Sequence, residues 1–161
     1  MNIRNARQSD AAALAAIYNH YIQNTSITFE TEPIGDEEMV QRITNVQTLA
    51  LPWLIAEQDD KIIGYAYANL WKTRAAYHHT VEISIYLDAN RLSKGMGSTL
   101  FRALLDALPD HVHAVVACVA LPNEKSERMN ERLGFTKVGE FKEVGFKHGQ
   151  WVNVGYWQLL R

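Results

Sequence analysis

Hydrophobic positions along the chain change period several times, and each change marks an element. Residues 2–7 alternate weakly and predict a short first strand; Ser9 then offers an N-cap to DAAALAAIYNHYI, where Leu14, Ile17, Tyr18 and Tyr21 recur at helical spacing. TSITFETEP is β-rich and then polar up to Pro33, and Asp36 can cap a second helix with apolar positions at Met39, Val40, Ile43 and Val46. A hairpin follows, with strands over 53–57 and 62–71 around Asp59-Asp60. A strand is predicted over 80–88, then a helix with Leu100, Leu104 and Leu108 on one side, stopped by Pro109. Residues 112–121 form a nearly unbroken apolar strand of the kind buried on both faces. A helix opens at Asn123 and closes with Gly134 as its C′ residue, and two last strands, about 135–144 and 152–160, meet at the turn KHGQ. Strands and helices interleaved in this order predict an α/β or α+β fold with a mixed sheet, in one domain over residues 1–161.

The stretch VEISIYLDANRLSKGMGSTL, residues 81–100, carries the chemistry. At period two, Val81, Ile83, Ile85 and Leu87 share one strand face, and Glu82, Ser84 and Tyr86 the other, so a carboxylate stands inside a predicted sheet. In SKGMGS, Gly95 and Gly97 tolerate positive φ and let backbone amides converge on one point. The following helix adds its free N–H groups and positive dipole end, and Lys94 adds a full charge. An anion such as a pyrophosphate suits that loop. A GxG turn between strand and helix also occurs without any ligand. The third glycine of a dinucleotide fingerprint is replaced by Leu100, and no GxxxxGK[ST] is present.

The same stretch resembles motif A of the GNAT N-acetyltransferases. The segments WKTRAAYHHTVEISIYL, GMGSTLFRALL, LPNEKSERMNERLGF and KHGQWVNVGYWQ together resemble the phosphinothricin and methionine sulfone acetyltransferase subgroup, from near Phe29 to the C-terminus. The resemblance implies a sheet whose middle strands, near 80–88 and 112–120, splay apart, with helices flanking it. The thiol arm of acetyl-CoA would lie in the gap like an added strand, bonded around Ile85, Tyr86 and Leu87. Its pyrophosphate would sit on Ser93, Lys94, Gly95, Met96, Gly97 and Ser98, with further contacts from Asn123 and Ser126. Asn123 has a rival role as a helix N-cap. Two positions depart from the superfamily pattern: Leu92 replaces a Gln or Arg of the cradle, and Asn130 replaces a tyrosine that serves as an acid.

Acetyl transfer to an amine needs a neutral nucleophile, and a primary amine is mostly protonated at pH 7, so a proton acceptor is required. Glu82 matches the general base of the resembling enzymes; its bland alternative is a strand glutamate facing solvent or pairing with a cation. The reaction would pass through a tetrahedral intermediate whose oxyanion backbone N–H groups stabilise. Acceptor contacts are expected from three polar, aromatic segments, 29–32, 71–77 and 147–151. Phe29, Arg74, Ala75, Ala76, Tyr77, Glu82, Ile83 and Ser84 are the expected contacts, with Arg74 as a bidentate carboxylate ligand. Trp151 is followed by Val152 where the phosphinothricin enzymes carry a histidine. The subgroup resemblance also implies a homodimer, for which the apolar ending GYWQLL is a second argument.

Composition narrows the alternatives. A formal charge of −2, with no run among the 16 basic residues, gives no general drive toward nucleic acid or anionic membrane. The single Cys118 lies in AVVACVAL and reads as a buried small hydrophobe, which excludes a disulfide within the chain. The N-terminus lacks the apolar core of a signal peptide and no stretch is long enough to span a bilayer, so a cytoplasmic setting is expected. His78 and His79 are adjacent, and His111-x-His113 lacks a third ligand at a recognisable spacing, so no metal is expected. Acetylation of a small amino-acid analogue is therefore expected. A protein N-terminal or lysine acetyltransferase and a non-catalytic acetyl-CoA-binding domain remain as alternatives.

Overall fold

The computed structural model describes residues 1–91 and 95–161. Its strands are β1 (Asn2–Asn5), β2 (Trp53–Gln58), β3 (Lys61–Leu70), β4 (Thr80–Leu87), β5 (Ala114–Leu121), β6 (Thr136–Lys147) and β7 (Gln150–Leu160). Its α-helices are α1 (Ala11–Asn24), α2 (Asp36–Thr48), α3 (Met96–Asp106) and α4 (Glu124–Arg132), with short 3-10 turns at Gln8–Asp10 and Ala75–Tyr77. The strands form one mixed sheet in the order β1-β2-β3-β4-β5-β7-β6, in which β4 and β5 are the parallel pair and the other neighbours are antiparallel.

The period-two pattern of β4 sorts the helices to opposite faces. Tyr86 packs edge-on against Tyr18 and Tyr21, which places α1 over the even-numbered face. On the odd-numbered face Gly97 of α3 lies so close to Leu87 that an added Cβ would come within 3.3 Å of its side chain. Leu100, Phe101 and Leu104 of α3 are buried, as are Val115, Ala117 and Trp157 of the sheet. Burying aliphatic stripes against both faces supplies the main stabilising contribution.

Residues 25–33, β-rich in composition, form no strand; Thr28 Oγ1 bonds the Tyr18 hydroxyl, and the Thr28 carbonyl accepts from Lys147, so tertiary partners fix an irregular segment. One local expectation is corrected. Ser9 lies inside the 3-10 turn and Asp10 stands at the α1 cap, because Asp10 accepts from the Arg7 backbone and forms two bonds with Arg4.

The feature that positions the site is the incomplete pairing of β4 with β5. Only Thr80 to Ile83 pair, with Ala114 to Ala117, although each strand has eight residues. Beyond that the two strands part. Asp88 N–H donates to Ile63 and Trp71 N–H to the Thr80 carbonyl, while His113 and Ala114 donate to the His79 carbonyl. Even-numbered backbone groups of β4 therefore face β3 and odd-numbered ones face β5. Ile85 and Leu87 thus turn their backbone polar groups into the parting, where the Tyr21 hydroxyl already donates to the Leu87 carbonyl at 2.6 Å.

Candidate active site

The parting is a cleft of about 60 Å³ lined on the strand side by Ile83, Ser84, Ile85, Tyr86 and Cys118 and on the helix side by Asn123, Ser126, Met129 and Asn130. Helix α4 reaches it because the apolar run of β5 ends in Leu121-Pro122 and Asn123 then caps the helix, its side chain accepting from Ser126 N–H at 3.2 Å. Asn123 caps α4 and also lines the cleft.

Asn130 is 2 % exposed, and its Oδ1 has no hydrogen-bond partner. An orphaned buried carboxamide costs roughly 1–3 kcal/mol. A slot with inward-facing amides at Ile85 and Leu87 and an unpaired acceptor suits an extended, amide-bearing chain.

Leu92, Ser93 and Lys94 of the predicted anion cradle lie outside the described residues. Gly95, at the α3 N-cap, has φ of +86°, a left-handed conformation that glycine adopts at no steric cost, and open space surrounds it. Met96 is buried beneath the turn. Gly95 and Ser98 border an open depression of about 550 Å³ that also holds Thr99 and Arg102.

Glu82 stands at the root of the parting, paired with Val116 across the last rungs and with Asn69 of β3. Its neighbours Ser84 and Cys118 on the same face border the cleft, whereas Thr80 and Val116 border a second cavity of about 480 Å³. That cavity is walled by Trp71, Lys72, Tyr77, Phe141 and Tyr156. The carboxylate therefore lies between the two spaces. Burial pushes its pKa up, while a hydrogen bond from the Cys118 thiol and the charge of Lys72 pull it partly back. Partial burial and the charge of that carboxylate push the pKa of the half-buried Cys118 thiol up to about 12.

Of the expected acceptor contacts, the structure brings Tyr77 to the cavity and puts Ile83 and Ser84 on the cleft. Arg74, Ala75 and Ala76 are exposed and border neither space; Phe29 packs its ring against Gly145 instead. The charge of Lys72 acts on the carboxylate, and its Nζ lies 4.8 Å from the Trp71 ring centroid. Cys118 read in the sequence only as a small core residue, Lys72 only as part of the segment 71–77, and Tyr156 was not singled out. Tyr156 lies opposite Cys118 in the β5–β7 register, its ring held between Trp71 and Phe141. Finding them needs the sheet order, since a residue's distance from Glu82 in sequence says nothing about rungs on other strands.

His78 stacks on His111 with ring centroids 5.0 Å apart, and His79 bonds the His111 carbonyl. Among the described residues no group of three His, Cys, Asp or Glu side chains is arranged to hold a metal. No helix is long and apolar enough to cross a membrane, among the same residues.

Comparison with known proteins bears on this geometry. The family described as acetyltransferase (GNAT) domain matches residues 3–154. A phosphinothricin N-acetyltransferase of Streptomyces viridochromogenes is 40% identical over 159 residues, covering 98% of this chain and 86% of the relative. An L-methionine sulfoximine/L-methionine sulfone acetyltransferase of Salmonella typhimurium is 31% identical over 160 residues, covering 99% and 94%. The crystal structure of a GNAT superfamily phosphinothricin acetyltransferase from Sinorhizobium meliloti in complex with AcCoA superimposes with a TM-score of 0.93 at 29% identity, covering 99% of this chain and 87% of that one. The parted central strands, the glycine-led helix beside them and these matches over nearly the whole length agree, and the chain belongs to the GNAT acetyltransferase family.

Proposed function

We propose that this chain moves the acetyl group of acetyl-CoA to the primary amine of a small amino-acid-like substrate of the phosphinothricin, methionine sulfone or methionine sulfoximine type, with Glu82 as general base. The observation that carries the reading is a half-buried carboxylate at the root of the β4–β5 parting, between a narrow cleft and a wider cavity. The relatives named above act on substrates of this class, and one was solved with AcCoA.

In this reading the cleft takes the thiol arm, and the cavity takes the acceptor, its aromatic walls around the side chain and Lys72 toward its carboxylate. The raised pKa of Glu82 brings the carboxylate closer to that of the amine it relieves of a proton, directly or through one water. Attack on the thioester carbonyl forms the new C–N bond and expels the thiolate. A thiol of pKa about 8.5 leaves tolerably as its anion, so no protein acid is required, and Asn130 in any case has no proton to give.

The chain is further proposed to work as a homodimer. The β6–β7 hairpin leaves Val138, Phe141, Val144, Phe146 and Trp151 exposed, and Val138 and Phe141 also border the cavity. A second copy seated there would close the acceptor site from solvent.

Acetyl-CoA consumption with a panel of free amino acids, phosphinothricin, methionine sulfone and one peptide tests the reaction. Turnover restricted to the small amines is expected, and turnover of the peptide alone would overturn it. Glu82→Gln should bind acetyl-CoA normally and lose roughly 10²- to 10⁴-fold in rate, regaining part of it at high pH; wild-type turnover at pH 7 would remove Glu82 from the mechanism. Coenzyme A should raise the melting temperature far more than ATP or NAD.

A further inference from the structure

Among the described residues, three buried side-chain atoms lack any partner: Trp53 Nε1, Trp157 Nε1 and Asn130 Oδ1. The two indole nitrogens belong to core residues on β2 and β7. Asn130 differs, because it borders the cleft between β4 and β5 and is oriented there by α4. The Asn130 main-chain carbonyl accepts from Leu133 and Phe135 N–H, so the residue is fixed by its backbone while its side chain is left unmatched. A buried oxygen acceptor left in this state calls for a donor that the protein does not itself supply.

We infer that Asn130 Oδ1 accepts a hydrogen bond from an amide N–H of the thiol arm of coenzyme A, making it a cofactor-recognition residue. The inference rests on the acetyl-CoA reading above. The missing partner must be a donor, and it must be present in the acetylated form, whose sulfur carries no hydrogen. The arm's amides are the donors that an extended chain brings along the parted strands, the slot of about 60 Å³ taking a short length of it. Ile85, across the slot, offers backbone groups to the same kind of chain, so the arm is gripped from a strand on one side and from a helix side chain on the other. Asn130 does not act on the leaving sulfur in this arrangement.

Asn130→Leu keeps the shape and removes the orphan oxygen, which gives the variant an unusual signature. Its ligand-free melting temperature should equal or exceed that of the wild type, because no made hydrogen bond is lost, while its Kd for CoA rises about 3- to 10-fold. Desulfo-CoA, which lacks the thiol, should show the same loss; a loss seen with CoA and absent with desulfo-CoA overturns the amide assignment. A variant that melts lower and binds CoA as the wild type does would mean that Asn130 is structural. Independently of any variant, the Asn130 side-chain amide resonances of the wild-type protein should move with CoA and stay in place with adenosine 3′,5′-bisphosphate, which has no arm. Resonances unmoved by CoA overturn the proposal whatever the variant does. Failure of the wild-type chain to bind CoA at all would instead remove the functional reading beneath it.

Discussion

Burial disfavours the charge of the Glu82 carboxylate and raises its pKa, and its neighbours relieve this only in part. A carboxyl whose folded pKa lies above its unfolded value favours the folded state below the unfolded pKa, and that contribution is lost as pH rises through the folded pKa. Glu82→Gln should therefore melt higher than wild type at pH 7 to 8, and the difference should vanish near pH 4, which scanning calorimetry across pH would check. Loss of activity together with gain of stability is what a strained functional group predicts. Cys118 supplies a second check. A thiol pKa near 12 leaves roughly one part in 10⁴ as thiolate at pH 8, so alkylation by iodoacetamide should be far slower than for a free cysteine. Cys118→Ala removes a donor that lowers the Glu82 pKa, so the acid limb of the kcat/KM profile should move to higher pH. The place of Glu82 in the sheet was legible in the sequence, since strand parity sets it on the face of Ser84 and Tyr86; its catalytic role is the proposal made above. Cys118 read as a small core residue because AVVACVAL looks equally buried on both faces, and its partner became visible only through the β4–β5 register.

Among the elements, the helices and strands follow their hydrophobic periods, and the departures occur where distant side chains decide. Residues 25–35 show this most clearly. Lys147, only 4 % exposed at the end of β6, donates to the Thr28 carbonyl at 2.7 Å. Arg42 of α2 holds Glu30 through two bonds, and Glu30 accepts from the Tyr18 hydroxyl. The Phe29 ring fills the space that a side chain on Gly145 would need. Those partners lie up to 119 residues apart, out of reach of local propensity. Gly145→Ala should overpack this joint and destabilise by about 1–3 kcal/mol, and Phe29→Ala in the same chain should recover part of that. A double-mutant cycle by urea denaturation measures the coupling; additive effects would mean that the loop and the hairpin do not constrain one another.

For the whole molecule, the exposed hairpin sets the expected assembly. Trp151 is 64% and Phe146 59% exposed, and their rings lie 4.8 Å apart across β6 and β7. Pairs of this size at an open strand favour a partner. Sedimentation at micromolar concentration should give a dimer, and the double variant Phe146→Glu, Trp151→Glu a folded monomer; an unchanged dimer would place the contact elsewhere. The sequence signalled an apolar C-terminal strand, but not that β6 would be the edge, because β7 inserts between β5 and β6 against chain order.

The parting of β4 from β5 also gives the sheet two inner edges in addition to the outer ones at β1 and β6. An unpaired strand edge ordinarily invites intermolecular templating, yet these edges face a narrow cleft floored by α4 residues rather than open solvent. The inner edges are open to a thread. Their amides should consequently report occupancy: hydrogen exchange at Ile85 and Leu87 is expected to be faster than at Val81 and Ile83 in the free protein and to slow selectively when the slot is filled.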